Sequence, residues 1–275
     1  MVLPLRTAVL PVRLALPAGL LLSALIASAV PVSAADLTAR QVVEQLYRAD
    51  PAQPLDFSNR NLTGLDLAGL AFKKARLDNC DLFGADLSGA DLREVDLSAA
   101  RLDRVVMIGT RFDGAKLQGA SLLRPNTRSG FDYAPGEAPS FAGADLRDAK
   151  MFGLFDGGNF AGANLARATL APFGKTGFIE VQWRTRLDGA DLSGSDLSGA
   201  DLSYVSLRFA NLKGAKLTGA TLKHADLSLA DLTGADLSGA DLTDADLYSA
   251  KLAGAIGVQK ASGLSTARNR ETAKP

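Results

Sequence analysis

From Leu187 to Leu252 every fifth residue is leucine, fourteen positions without exception, in phrases such as Ala190-Asp191-Leu192-Ser193-Gly194. An earlier block from Phe57 to Leu122 keeps the same period with Leu, Phe or Met. Between the blocks the phase slips, through one run at Phe141, Leu146 and Met151 and another at Phe160, Leu165 and Leu170. An α-helix turns about 100° per residue, so a leucine at every fifth place would walk around the cylinder without making a face. A long helix is therefore excluded.

The residue two before each leucine is usually alanine, so inward candidates are spaced two, then three, then two along the chain. A spacing of two is one face of a short extended segment, and the extra residue in each three is a corner. Glycine two places after many leucines, as at Gly189, Gly194 and Gly214, suits such corners. A chain that turns a corner every five residues must coil, and the coil holds only when successive turns stack and share backbone hydrogen bonds.

Charges set the number of corners per turn. The residue before each leucine points outward, and at a lag of twenty the pairs Asp56/Arg76, Arg76/Asp96, Asp96/Lys116, Asp81/Arg101, Asp196/Lys216 and Asp231/Lys251 are opposite in sign. The like-charged pairs at that lag are Asp66/Asp86 and Asp226/Asp246. At a lag of five like charges dominate, as in Asp226, Asp231, Asp236, Asp241 and Asp246. Like charges opposed in a ladder destabilise it, which favours four five-residue sides per turn.

Alanine, aspartate or asparagine, leucine and two variable residues, in tandem over about residues 55 to 255, resemble the pentapeptide-repeat proteins. The resemblance implies an all-β fold: a right-handed quadrilateral β-helix with Leu or Phe and the preceding Ala packed inside. The stretches 123–140 and 171–185 depart from the repeat and read as insertions in a coil spanning 51–255.

Residues 1–34 carry Arg6 and Arg13, no acid, and an apolar stretch from Leu14 to Val30 ahead of Val32-Ser33-Ala34. That pattern predicts a secretory signal cut after Ala34, with no membrane span left in the mature chain. The expected compartment is the bacterial periplasm or the exterior, with the thylakoid lumen as the alternative. Residues 35–50 contain a predicted capping helix from Thr38 to Arg48, with Thr38 and Gln41 as a capping box. Residues 256–275 lose the repeat and read as a frayed tail.

The 275 residues carry a formal charge of zero, and loss of Arg6 and Arg13 leaves 28 basic against 30 acidic, about −2. No field of either sign exists to hold nucleic acid or to imitate it. An interior filled from four sides leaves no axial cleft for a small molecule, so no cofactor is expected and function should lie on the outer faces or in the insertions. The first insertion holds Arg124, Arg128, Phe131 and Tyr133; the second holds Phe173, Phe178, Trp183 and Arg184. Rings with arginine are interface anchors, and these residues form the candidate patch for an unknown protein partner. The oligomeric state is left open.

Other motifs lead nowhere. Gly174-Lys175-Thr176 lacks the first glycine of a phosphate loop, which would stand at Thr169. His224 falls at an outward corner and is the only histidine, and Cys80 the only cysteine, so neither a His-based triad, a multi-histidine metal site nor an internal disulfide is available. Outward aspartates among Lys and Arg read as a solubilising face, and Asn61-Leu62-Thr63 matches a glycosylation acceptor. The expectation is an exported, non-enzymatic structural or protein-interaction scaffold. The alternative, carried by the resemblance, is a DNA mimic that protects DNA gyrase, a role that needs a cytoplasmic location and a strongly negative surface.

Overall fold

In the computed structural model the described residues are 34–50, 53–130, 134, 136–172 and 184–274, all within a unit spanning 33–275. The expected signal segment, the ring positions Phe131, Tyr133, Phe173, Phe178 and Trp183, and Gly174-Lys175-Thr176 lie outside them.

The local unit is a corner. After each central residue the chain makes a tight turn closed by a backbone bond, such as Ala85 N–H to the Leu82 carbonyl at 3.0 Å, and the turn's third residue is left-handed, as Gly84 is at φ 66°. The aspartate or asparagine before the central residue fixes the same corner. Its carboxylate or amide oxygen accepts the N–H two residues on, as Asp86 does from Ser88 at 2.8 Å and Asp196 from Ser198 at 2.9 Å. A side chain as short as Asp or Asn closes this ring, whereas Glu is one methylene too long, which explains why the repeat uses Asp rather than Glu. The outward aspartates are thus corner braces as well as a soluble face.

Successive corners stack into the right-handed four-sided β-helix. Asp56, Arg76, Asp96, Lys116, Asp145, Asn164, Asp196, Lys216, Asp236 and Ile256 form one unbroken parallel ladder of ten, which defines side 1 and turns 1 to 10. Sides 2, 3 and 4 start from Asn61, Asp66 and Ala71. All the opposite-charge pairs named above are bridged neighbours, and Arg76–Asp56 and Arg101–Asp81 close as ion pairs at 3.2 Å each. Central residues from Phe57 to Leu247 and the alanines before them are buried. On side 4 the rings of Phe112, Phe141 and Phe160 stack at 4.8 and 4.9 Å. Polar inward residues give their protons to backbone carbonyls: Thr110 to Leu87 at 2.7 Å and Cys80 to Phe57 at 2.9 Å.

The phase slips are changes in the length of single corners. The chain takes fourteen residues from Asn126 to Ser140, between sides 3 and 4 of turn 4, where a regular side takes five. It takes seventeen from Thr169 to Arg186, between sides 2 and 3 of turn 6, and only four from Lys150 to Leu154. The coil resumes in register after each.

Both ends are covered. Helix α1, Ala39–Arg48, carries the predicted Thr38–Gln41 capping box, buries Val42 and Leu46 against the first turn, and has its Leu46 carbonyl held by Lys73 Nζ at 2.8 Å. The tail is not frayed. Ile256, Ser262, Arg268 and Lys274 each bridge to the turn below, forming a tenth turn with sides of six residues. At its corners Gly257 and Gly263 are left-handed, and a Cβ on Gly257 would come within 2.5 Å of the Ser238 nitrogen. Glycine stands where leucine stood, and the period of five disappears while the ladder continues.

Candidate functional site

Side 3 is where the coil stops being regular. The first insertion leaves from its end in turn 4, and the second returns onto it in turn 6. Asn126 and Arg186, at the two bases, stand two rungs apart on this side, roughly 10 Å along the axis. The Thr127 hydroxyl reaches the Leu154 carbonyl at 2.9 Å in the turn between. The far end of the first insertion is pinned back by Glu137, whose carbonyl accepts from Gly109 at 2.6 Å and whose carboxylate takes the Ser129 hydroxyl.

Of the sequence-predicted patch, three residues are described. Arg124 occupies the left-handed corner between sides 2 and 3 of turn 4, its N–H on the Phe152 carbonyl at 2.5 Å and its guanidinium 6.0 Å from the Phe152 ring centre. Arg128 follows Thr127 at the start of the first insertion. Arg184 ends the second and lines a surface hollow of about 480 Å³ with Tyr204, His224, Asp244 and Arg268. The corner between sides 2 and 3 thus carries both Arg124 and Arg184. Phe131, Tyr133, Phe178 and Trp183 lie outside the described residues.

Sequence reasoning missed four residues. Tyr204, Phe209, His224 and Leu229 all sit at left-handed corners, with φ of 63°, 59°, 56° and 62°. A non-glycine residue there costs roughly 1–2 kcal/mol. Tyr204 and His224 edge side 3 at its start in turns 7 and 8; Phe209 and Leu229 edge it at its end. The Tyr204 and His224 rings stack at 4.6 Å, and His224 Nδ1 lies 3.7 Å from an Asp244 carboxylate oxygen. Phe209 is 57% exposed and Tyr248, one turn above Leu229, 49%. The signal was available: these residues stand two places after a leucine, where the repeat favours glycine.

Between these edges the floor is polar and braced. Asp226 and Asp246 are ladder neighbours, each accepting the N–H two residues on, from Ser228 and Tyr248, at 3.0 Å. Lower on side 3, burial raises the Asp156 carboxyl above the usual range, partly offset by Arg186 at 3.0 Å. Among the described residues no group of three or more His, Cys, Asp or Glu is placed to hold a metal. Cys80 is buried and pushed up to about 11, mainly by that burial. The surface can cover apolar groups and discriminate charge.

The family model described as pentapeptide repeats matches eight copies, over residues 56–89, 90–122, 184–219, 210–247 and 225–256. No curated protein matches. Among solved structures the chain is similar to HetL, a pentapeptide repeat protein involved in heterocyst differentiation regulation from the cyanobacterium Nostoc sp. strain PCC 7120. The identity is 29% over 84% of this chain and 94% of that one, with a TM-score of 0.43. It is similar to Rfr23 from the cyanobacterium Cyanothece 51142, 33% identical over 36% of this chain and 58% of that one, TM-score 0.31. Full-length QnrB1, a plasmid-mediated fluoroquinolone resistance protein, is 19% identical over 76% of this chain and 90% of its own, TM-score 0.30.

Proposed function

The chain belongs to the pentapeptide-repeat family, and on that premise we propose that it is an exported, non-enzymatic scaffold that holds a protein against side 3 of its coil. One observation carries the reading: among the non-glycine residues that stand at left-handed corners, the ones that are aromatic, histidine or leucine, Tyr204, Phe209, His224 and Leu229, all edge the same side. Strain retained without a packing reason is a mark of function. Exposed rings and leucine do not help a β-helix whose core is already filled, but they supply the apolar contacts of an interface.

One end of each insertion, at Asn126 and at Arg186, lies on that side, and the reading keeps Arg124, Arg128, Phe131, Tyr133, Phe178, Trp183 and Arg184 as the sequence-derived candidates for the docking region. A net charge of about −2 points to a protein partner rather than nucleic acid. The reading of export is supported by the arginine-bearing, acid-free and apolar residues 1–34, with the bacterial periplasm or the exterior as its compartment and the thylakoid lumen as the alternative.

The test is photo-crosslinking in the native host from a reactive residue at position 209, with position 214, at the corner between sides 4 and 1, as control, after cell fractionation. A discrete adduct from 209 alone, in an exported fraction, is expected. Equal adducts from both positions would overturn docking on side 3, and recovery of the chain only from the cytoplasm would overturn export.

A further inference from the structure

The predicted cleavage point, between Ala34 and Ala35, lies within the stretch that docks on the first turn. Residues 34–36 run along the lower edge of side 2, where a rung beneath Asn61 would stand. Asn61 Nδ2 donates to the Ala34 carbonyl at 3.2 Å. The Asn61 N–H donates to Asp36 Oδ2 and the Asn61 carbonyl accepts from the Asp36 N–H, both at 2.7 Å. Leu37 packs against the core, Thr38 caps α1, and α1 buries Val42 and Leu46. The chain on either side of the Ala34–Ala35 bond is thus held, by hydrogen bonds at Ala34 and Asp36 and by packing from Leu37 onward.

Removal of the signal adds water across that peptide bond. The C–N bond breaks, Ala34 leaves as a carboxylate, and Ala35 keeps the nitrogen as an ammonium. A protease cuts a chain that lies extended in its cleft, with the backbone groups beside the scissile bond free to pair with the enzyme. In the folded coil the carbonyl that must be attacked already accepts from Asn61. We propose that the first turn masks its own processing site, with Asn61 as the masking residue, so that the signal is removed before residues 34–36 dock and the chain is exported unfolded. This order of events rests on the export reading and adds regulation to it. The hydrogen bonds divide at the cut: the one to Ala34 leaves with the signal, and the two to Asp36 stay with the mature chain. Processing therefore keeps the closed edge, whereas a chain that closes this edge first keeps its signal.

The test offers the full 275-residue chain to a purified signal peptidase in detergent, either folded or freshly diluted from urea, and follows the products by mass spectrometry. From the diluted chain a burst of cleavage before Ala35 that stops as the coil forms is expected. The folded chain should be cut about tenfold or more slower, because cleavage follows the population of locally opened chain. Asn61→Asp keeps the acceptor that braces its own corner, where Asn61 Oδ1 takes the Thr63 N–H at 3.0 Å. It has no donor for Ala34 and sets a second carboxylate beside Asp36. Far from the cut in sequence, this variant should match its parent in the burst and be cut severalfold faster when folded, with circular dichroism checking that the coil forms. Equal rates from the folded and diluted parent, or a folded Asn61→Asp chain cut no faster than its folded parent, overturn the masking. If neither state is cut before Ala35, the export reading fails and the masking with it.

Discussion

Asp36 and Asn61 exchange two hydrogen bonds across the open end of the first turn: Asn61 N–H donates to Asp36 Oδ2, and Asp36 N–H donates to the Asn61 carbonyl, both at 2.7 Å. A coil of parallel rungs would otherwise begin with unpaired backbone groups, the edge that invites aggregation. Asp36→Ala should lower stability by about 0.5–1.5 kcal/mol, the net worth of a hydrogen bond, since the site is exposed. Thermal unfolding checks the loss, and light scattering on heating should show earlier aggregation. An unchanged melting temperature would mean that α1 alone covers the end.

The buried ladder makes a sharper contrast. Leu217 is fully buried on side 1, and Leu217→Ala should cost about 2–5 kcal/mol because the neighbouring turns cannot close over the void. Leu217→Asp should leave no folded protein, since an unpaired charge would enter an apolar column. One residue on, exposed Thr218 only points its hydroxyl at Asp236 from 3.2 Å, and Thr218→Ala should cost about 0.5 kcal/mol or less. Denaturant titration of the three variants measures all of this.

Corner bracing gives the coil a pH signature. Burial alone would raise the Asp231 carboxyl, but the hydroxyl and N–H of Thr233 with Lys251 and Lys213 overcome it and bring it down to about 2. Its folded value lies below the unfolded one, so its contribution is complete above about pH 4 and is lost as pH falls toward 2. Asp196 and Asp241 are lowered too, against burial, by Ser198 and by Thr243 respectively. Stability should therefore fall steadily between pH 4 and pH 2. Asp231→Asn, which keeps the brace but not the charge, should flatten part of that slope, and Asp231→Glu, too long to close the ring, should lower stability at neutral pH. A slope identical in Asp231→Asn would assign the acid sensitivity elsewhere.

Lys216 stands between Asp196 and Asp236 in the side-1 ladder, although among the described residues it closes no ion pair with either. Its effect is that of a nearby field, one contributor to the lowered Asp196 carboxyl. Lys216→Glu would set three acids in a column and should cost about 0.2–1 kcal/mol per like-charged contact, more at low salt than at high. Melting curves at two salt concentrations check it, and a salt-independent loss would show that the column is not felt electrostatically.

The period of five and the sign alternation at a lag of twenty were enough to read the corners, the sides and the turns, because both follow from packing that every repeat must satisfy. What stayed hidden depends on single residues that break the rule for local reasons. Gly257, Gly263 and Asn269 replace the central leucine in the last turn, so six-residue sides left only Ala261, Ala267 and Ala273 as a trace. The double role of Asp was invisible, because a brace to its own backbone leaves the same letter as a soluble surface. Arg124 and Arg184 were found from composition, whereas Tyr204 and Phe209 needed the knowledge that their places are left-handed.

That left-handedness yields the most discriminating prediction. Replacing Phe209 and Leu229 together by glycine removes exposed apolar groups from two positions at φ 59° and 62°. Relief of roughly 1–2 kcal/mol of strain per site is offset by the larger entropy glycine loses on folding, about 0.5–1 kcal/mol. The coil should therefore hold its stability or gain up to about 1 kcal/mol per site. If these side chains served the coil, their loss would lower the melting temperature. If they serve an interface, the melting temperature should hold or rise while binding at side 3, measured by crosslinking from position 204, weakens severalfold. Stability and association moving in opposite directions is the outcome that a packing role does not produce, since removing a side chain that packs the coil costs stability.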